Sequence, residues 1–237
     1  MSEQFKRKLT KIGIVLNKKQ EEQLKLYYEI MIEKNKVMNL TNITEYEEVN
    51  DKHFLDSLSI AKCIDLNNYG SLVDIGTGAG FPGIPIKIVF PHVKVVLVDS
   101  LNKRVTFLKE VIETLGLENI EAVHSRAEDF SRENKWRESF DLVVSRAVSN
   151  LSTLSEYCVP CIKIGGLFVS YKSGNVDEEL LQAKGAVQKL GCKVKSVEKF
   201  TLPETEISRS FVMIEKVKKT DKKYPRKSGL PKKEPLT

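Results

Sequence analysis

The segment VDIGTGAGFPG, residues 73–83, restricts this chain more than any other stretch of its 237 residues. An apolar run ends in a carboxylate, Asp74, and glycines follow at alternate positions, Gly76, Gly78 and Gly80. Glycine is needed where the backbone takes a positive φ or approaches another group too closely for a Cβ. Pro82 or Pro85 then suits the first turn of a helix. The segment reads as strand, tight turn and helix start. In an open parallel sheet such a turn lies at the carboxyl edge of the strands, where ligands bind.

The rest of the chain agrees with that architecture. Short apolar, β-branched runs at 71–75, 93–99, 119–124, 140–145 and 166–172 alternate with amphipathic stretches such as 102–115, which implies a parallel sheet covered by helices on both faces. Ser100 is placed to cap helix 102–115 and Gly116 to stop it. After a helix around 178–190, runs 193–200 and 210–217 have no room for a helix between them and must pair as a hairpin. The expected fold class is α/β, Rossmann-like, with a mostly parallel seven-stranded sheet that ends in an antiparallel C-terminal hairpin. Ahead of it, 18–38 reads as an amphipathic helix with Leu24, Tyr27, Tyr28 and Met31 on one face, and a second helical stretch follows Thr44 as N-cap. We therefore divide the chain into an N-terminal helical extension (1–66), a ligand-binding domain (67–217) and a basic C-terminal segment (218–237).

Composition narrows the setting. The longest apolar run is far too short to cross a bilayer, the start MSEQFKRK lacks the apolar core of a signal peptide, and four cysteines without a framework suit a reducing compartment. These features imply a cytoplasmic protein without membrane association. Cys158 and Cys161 form a CxxC, but His53, His92 and His124 lie apart, so no metal site is expected; with Leu154 and Tyr157 the two thiols share one apolar helical face. The net charge of +6 is uneven: from Lys216 to Thr237 nine basic residues face two acidic ones, a net of +7 that leaves −1 for the remainder. Such a tail is either a solvated, mobile end or a contact for an anionic polymer such as RNA.

Two ligand classes use a glycine turn at this edge. A dinucleotide fingerprint, G-x-G-x-x-G counted from Gly76, fails at Phe81. G-x-G-x-G behind an acidic residue instead resembles motif I of S-adenosylmethionine-dependent methyltransferases. Asp99 closes the next strand 19 positions after Gly80, where a carboxylate can accept both ribose hydroxyl protons. The third strand is followed by Arg126-Ala127-Glu128-Asp129, where this class places residues around an adenine, and the fourth by Ser145-Arg146-Ala147-Val148. At that position after the fourth strand there is neither an Asn/Asp-Pro-Pro-aromatic motif for exocyclic amines nor a Pro-Cys for cytosine carbon. The acceptor should therefore be nucleophilic already, as guanine N7 is, and catalysis should rest on positioning and electrostatics.

Blocks along nearly the whole chain resemble the GidB/RsmG family of small-subunit ribosomal RNA (guanine-N7) methyltransferases, in that family's order: NKVMNLT (35–41), KHFLDSL (52–58), VDIGTGAGFPGIPI (73–86), DSLNKRVTFL (99–108), SRAEDF (125–130), SRAV (145–148), YKS (171–173) and YPRKSGLPKKEPL (224–236). The resemblance implies methylation of N7 of one guanine in 16S ribosomal RNA. It also implies cofactor contacts from Gly76, Gly78, Gly80, Phe81, Asp99, Ser100, Ala127, Glu128 and Arg146. Arg146, at the cofactor edge after the fourth strand, is the expected catalytic residue, holding guanine O6 or a phosphate. Lys103, Arg104, Arg126, Lys172, Arg209, Arg226 and Lys227 are the expected RNA-binding cations, and the partner is ribosomal RNA or the small subunit, engaged by a monomer. Recast as a family block, the tail could fold back through Tyr224, Leu230 and Leu236. The residues alone leave three other readings open: a methylase of another RNA, small molecule or protein, a nicotinamide-dependent oxidoreductase, and a ribosome-assembly factor without catalysis.

Overall fold

A computed structural model describes residues 1–146 and 149–237; Ala147 and Val148 of the SRAV block lie outside the described residues. Two helices, α1 (Glu3–Thr10) and α2 (Lys18–Met38), precede α3 (Tyr46–Val49), which runs through a π-helical segment (Asn50–Leu55) into α4 (Asp56–Leu58) and a 3-10 turn (Ser59–Lys62). Then follow β1 (Ser71–Ile75), α5 (Gly83–Val89), β2 (Lys94–Asp99), α6 (Asn102–Thr114), β3 (Ile120–His124), α7 (Ala127–Arg132), β4 (Phe140–Ser145), α8 (Leu151–Cys158), β5 (Ile162–Ser173), α9 (Asp177–Lys189), β6 (Cys192–Thr201), β7 (Ser208–Lys216) and α10 (Leu230–Lys233).

The strands form one seven-stranded sheet in the order β3-β2-β1-β4-β5-β7-β6. β1 to β5 are parallel, and β7 lies antiparallel between β5 and β6. The strand order reverses at β1, whose neighbours are β2 and β4, so the glycine turn leaves the sheet at its switch point. Period-two alternation divides the core: Leu72, Leu97 and Leu142 face the N-terminal helices, α5 and α6, whereas Val73, Ile75, Val96 and Val143 face α7, α8 and α9.

Helix α2 begins with a capping box, in which the side chains of Asn17 and Gln20 each accept a hydrogen bond from the other's backbone N–H. Its Leu24, Tyr27 and Met31 are fully buried in the same core as β1 and β2, and each such side chain contributes about 1.5–3 kcal/mol. The extension is thus packed onto the sheet and does not hang from it.

Two expected caps differ. The helix after Thr44 starts at Tyr46 behind Glu45 without a side-chain cap bond, while the Thr44 carbonyl accepts from the Tyr28 hydroxyl. Helix α6 starts behind Leu101, not Ser100, because the Asp99 carboxylate itself takes the Leu101 N–H at 2.9 Å. Gly116, at φ +58, does terminate α6.

The C-terminal segment lies along α7 and α8. Tyr224 and Leu236 are buried, Arg226 makes a forked pair with the fully buried Glu156, Arg132 and Arg137 hold the carbonyls of Pro225 and Tyr224, and Lys189 reaches the Thr237 carbonyl. Cys158 and Cys161 are buried and free, with burial pushing Cys161 up to about 12, so neither thiol is poised for metal or redox work. Among the described residues, no helix is long and apolar enough to cross a membrane, and no group of three or more His, Cys, Asp or Glu side chains could hold a metal ion.

Candidate functional site: two adjoining cavities at the carboxyl edge

The glycine turn is built by its own short-range bonds. Gly76, Gly78 and Gly80 take φ of +75°, +63° and +106°, values that favour glycine. The buried Asp74 carboxylate accepts from the Thr77 hydroxyl at 2.7 Å and from the Gly83 N–H at 2.9 Å, tying both ends of the turn to β1. Burial outweighs these two bonds and pushes Asp74 up to about 6. Gly83 is glycine because a Cβ there would meet Leu97 at 2.3 Å and the Asp74 carboxylate at 3.0 Å. From the other side Tyr27 of α2 donates its hydroxyl to the Ala79 carbonyl, and Gly80 leaves room for that hydroxyl: a Cβ would lie 2.7 Å from it.

Asp99, at the end of β2, closes the turn from across the cleft. It is nearly buried, and one oxygen accepts from the Gly78 N–H at 3.0 Å with Arg104 at 3.4 Å. Around it lies a cavity of about 310 Å³ lined by Ile75, Gly76, Ser100, Leu101, Ala127, Leu154 and Tyr157, among others. One carboxylate with the Arg104 guanidinium beside it, a few hydroxyls and several apolar side chains suit an adenosine: apolar faces for the base, an acceptor for the ribose hydroxyls, and bare backbone at the turn. A Cβ on Gly78 would meet nothing within 4 Å, so the turn borders open space.

Of the residues expected at the cofactor, Gly76, Asp99, Ser100 and Ala127 line this cavity and Arg104 joins them; Gly78 borders it through Asp99. Gly80 and Phe81 lie behind the turn, and Phe81 stacks on His53 with ring centroids 4.5 Å apart. Glu128 is buried behind the wall, accepting the Gly229 N–H at 2.8 Å. Arg126 and Lys103 are exposed, as is Lys227, and Arg226 is held by Glu156.

Arg146 lines a second cavity, of about 520 Å³, which shares Ser149 with the first. Its guanidinium donates to Asp56 at 2.9 Å, to the Lys52 carbonyl at 3.1 Å and to His53 Nδ1 at 3.2 Å, and lies 5.1 Å above the Phe81 ring. Because arginine only donates, Nδ1 is the acceptor and the His53 proton sits on Nε2, which reaches the Thr41 hydroxyl at 2.8 Å. Burial, with Arg146 alongside, pushes His53 down to about 3, so the ring is neutral. The other Asp56 oxygen accepts from Arg209 at 2.7 Å, and Lys172 donates to the Ser149 carbonyl and to Glu179. Arg146, Lys172 and Arg209 are therefore brought together, away from Lys103 and Arg126.

Asp56, His53, Ser149, Leu154 and Tyr157 were not expected at the site from the sequence. A signal existed for the first two: an aspartate and a histidine inside the apolar stripe Phe54, Leu55, Leu58 must be paired when buried.

Residues 20–212 match the GidB family, described as rRNA small subunit methyltransferase G. A protein of Lachnoclostridium phytofermentans called ribosomal RNA small subunit methyltransferase G is 53% identical over 228 residues, 96% of this chain and 94% of that one. Its namesake in Bacillus subtilis is 48% identical over 234 residues, 99% of this chain and 98% of that one. Among solved structures, M. jannaschii TYW2 in complex with AdoMet matches with a TM-score of 0.50 at 16% identity, covering 62% of this chain and 69% of that one. The branched-chain polyamine synthase of Thermus thermophilus matches with a TM-score of 0.54 at 14% identity, covering 70% of this chain and 56% of that one. These distant structures share the fold; sequence identity of about one half over nearly the full length goes further, and the chain belongs to the GidB family of small-subunit rRNA methyltransferases.

Proposed function

We propose that this chain transfers a methyl group from S-adenosylmethionine to N7 of one guanine in small-subunit 16S ribosomal RNA, acting as a cytoplasmic monomer. The cofactor supplies an electrophilic methyl carbon on a sulfonium. Asp99 receives the ribose hydroxyls, and the turn at Gly76 and Gly78 gives bare backbone for the amino-acid end. Ala127, Leu101, Leu154 and Tyr157 line the wall that would enclose the adenine, and Glu128 is buried behind it on the Gly229 N–H.

The observation that carries the N7 assignment is that, among the described residues, each carboxylate lining the acceptor cavity is already ion-paired and the His53 Nδ1 already accepts from Arg146. His53 Nδ1 is taken by Arg146, both Asp56 oxygens are taken by guanidinium groups, and one Glu179 oxygen is taken by Lys172. The cavity therefore presents mainly donors, which suit orienting a purine more than removing a proton from it. Guanine N7 needs no proton removed: its in-plane lone pair forms the new bond to carbon as the carbon–sulfur bond breaks. The bonding pair stays on sulfur, and the positive charge passes to the guanine. Arg146 is the catalytic residue in this reading, positioning the acceptor through O6 while N7 stays open.

The segment 67–217 carries the cofactor, 1–66 supplies Asp56 and His53 to the acceptor side, and 218–237 backs the cofactor wall and presents Lys227 to RNA. Four free cysteines agree with a reducing cytoplasm, and both cavities are lined within one chain. The test is reduction and aniline cleavage of ribosomal RNA from cells with and without the gene, with radiolabelled transfer to isolated small subunits. A single gene-dependent cleavage at one guanine is expected. Label on another base, or cleavage that persists without the gene, refutes the assignment.

A further inference from the structure

The parts that must meet in the reaction hang from different strands. The cofactor turn leaves β1, whereas Arg146 follows β4. Among the described residues, the cofactor cavity is lined by positions 75–157 alone, so the N-terminal extension can act on it only from behind. It does so through Tyr27, a fully buried side chain of α2 whose two ends meet different neighbours. The hydroxyl donates to the Ala79 carbonyl, between Gly78 and Gly80 of the turn. That carbonyl accepts no backbone N–H among the described residues, because Gly83, four positions on, gives its N–H to Asp74. The Tyr27 ring lies 5.4 Å from Phe81 and 5.7 Å from Phe54, centroid to centroid. Phe81 in turn has His53 stacked on it at 4.5 Å and the Arg146 guanidinium 5.1 Å from its centroid, and Arg146 donates to His53.

A buried tyrosine needs a partner for its hydroxyl, and any backbone acceptor in the core would satisfy it. Here the acceptor belongs to the turn that receives the cofactor, and Gly80 stays bare to admit the hydroxyl, since a Cβ would lie 2.7 Å from it. One rigid side chain therefore touches the carrier of the methyl donor with its tip and the ring beside Arg146 with its body. In-line transfer needs the reacting atoms about 3–3.5 Å apart, and a misplacement of about 1 Å can cost about 100-fold in rate. We propose that Tyr27 is a positioning residue for methyl transfer: from the N-terminal extension it fixes the cofactor turn and Arg146 relative to each other, through Ala79 and Phe81. Tyr27 lines neither cavity, so it acts through these two neighbours and not on the substrates. The proposal rests on the reading of Arg146 as the residue that orients the acceptor, and adds what holds it in register with the donor.

Tyr27→Phe deletes the hydroxyl and keeps the ring, so it releases the turn without emptying the core. The test is kcat and KM for methylation of small ribosomal subunits at saturating cofactor, with cofactor Kd from calorimetry and the Tm on the same preparations. The kcat should fall about tenfold, while cofactor Kd stays within about threefold and KM for the subunit within about twofold. Tyr28→Phe is the control. It removes a hydroxyl of the same helix that also donates to a backbone carbonyl, that of Thr44 at 3.0 Å, outside the turn, and its kcat should equal wild type. A lower Tm in Tyr27→Phe with kcat unchanged makes the hydroxyl merely structural and overturns the proposal. A weaker cofactor Kd with kcat unchanged confines its effect to the turn and overturns it as well. Should Tyr27→Phe be recovered unfolded, Phe81→Leu, which keeps the hydroxyl bond and removes the ring beside Arg146, is judged by the same kcat criterion. If the wider reading fails, the wild-type protein itself methylates no RNA, whereas failure of this proposal leaves wild type active and Tyr27→Phe equal to it in kcat.

Discussion

The two cavities at the sheet edge are made in opposite ways. The cofactor side is local: Asp74, Thr77 and Gly83 lie within ten residues and bond to one another, and the turn needs only Asp99 from the next strand to close it. The acceptor side is assembled from afar, since Arg146 and Arg209 meet on Asp56 across 90 and 153 positions of sequence. In the first, backbone conformation dictates residue type. In the second, almost any surface could carry an arginine, and only the convergence on a buried carboxylate gives it meaning. The turn should therefore respond to substitution through sterics and cofactor affinity, and the cluster through turnover, RNA and pH.

The largest expected effect tests that division directly. Arg146→Ala should lower turnover on the small subunit about 1,000-fold, or about 4 kcal/mol in the barrier, with cofactor Kd within threefold. The fold should survive because Asp56 keeps Arg209. Near-normal turnover in a single-turnover assay would remove Arg146 from the acceptor site. Next comes Gly78→Asp, which should weaken cofactor binding about 100-fold, or about 2.7 kcal/mol, because the new carboxylate sits beside Asp99. Its effect on folding should be small: the Cβ enters open space, and aspartate tolerates φ near +63°. Gly80→Ala reverses the pattern. Its Cβ would lie 2.5 Å from Ile84 and 2.7 Å from the Tyr27 hydroxyl at φ +106°, so about 2–3 kcal/mol of stability should be lost. Equal responses of Tm and calorimetric Kd in both variants would break the distinction.

The same contrast explains what the sequence disclosed. The mostly parallel sheet and the antiparallel pairing of β6 with β7 follow from short β-branched runs alternating with helical stretches and from a connection too short for another crossover, all properties of neighbouring residues; the strand order around β1 and the place of β7 beside β5 do not. Gly76, Asp99, Ser100 and Ala127 were legible because each stands at a strand end, and the sheet brings strand ends together. Leu154 and Tyr157 were legible only as an apolar helical face, since nothing in the periodicity of α8 separates a residue facing the sheet from one facing a ligand. Asp56 and His53 were hidden for a different reason: which cation a buried acid meets depends on tertiary packing. Glu128, expected near the adenine, is instead one residue deeper, because α7 turns it toward the Gly229 N–H.

His53 offers a pH test of the distant assembly. Its ordinary value of 6.5 is lowered to about 3, chiefly by burial and then by Arg146. Below 6.5 the unfolded chain takes up a proton that the native ring refuses, so this contribution to stability is complete above 6.5 and is lost as pH falls toward 3. At pH 5 wild type should have lost about 2 kcal/mol relative to His53→Gln, compared with their difference at pH 8. Chemical denaturation of both proteins at pH 8, 6 and 5 measures this. Parallel curves would mean that the ring accepts a proton in place and that Arg146 is not donating to it.

The smallest effect concerns the basic tail, where neighbouring cations should behave differently. Arg226 is committed to the buried Glu156, so its loss should appear in the Tm and not in RNA binding. Lys227 is exposed and has no ion-pair partner among the described residues. Lys227→Gln should raise KM for the small subunit about two- to threefold at about 0.1 M salt, flatten the salt dependence by about 0.7, and leave Tm and cofactor Kd unchanged. Because a long-range charge acts through the RNA polyanion, the KM difference should shrink as salt rises and vanish near 0.5 M or about that level. A difference that persists at high salt would place Lys227 in a specific contact and move the tail from general attraction to recognition.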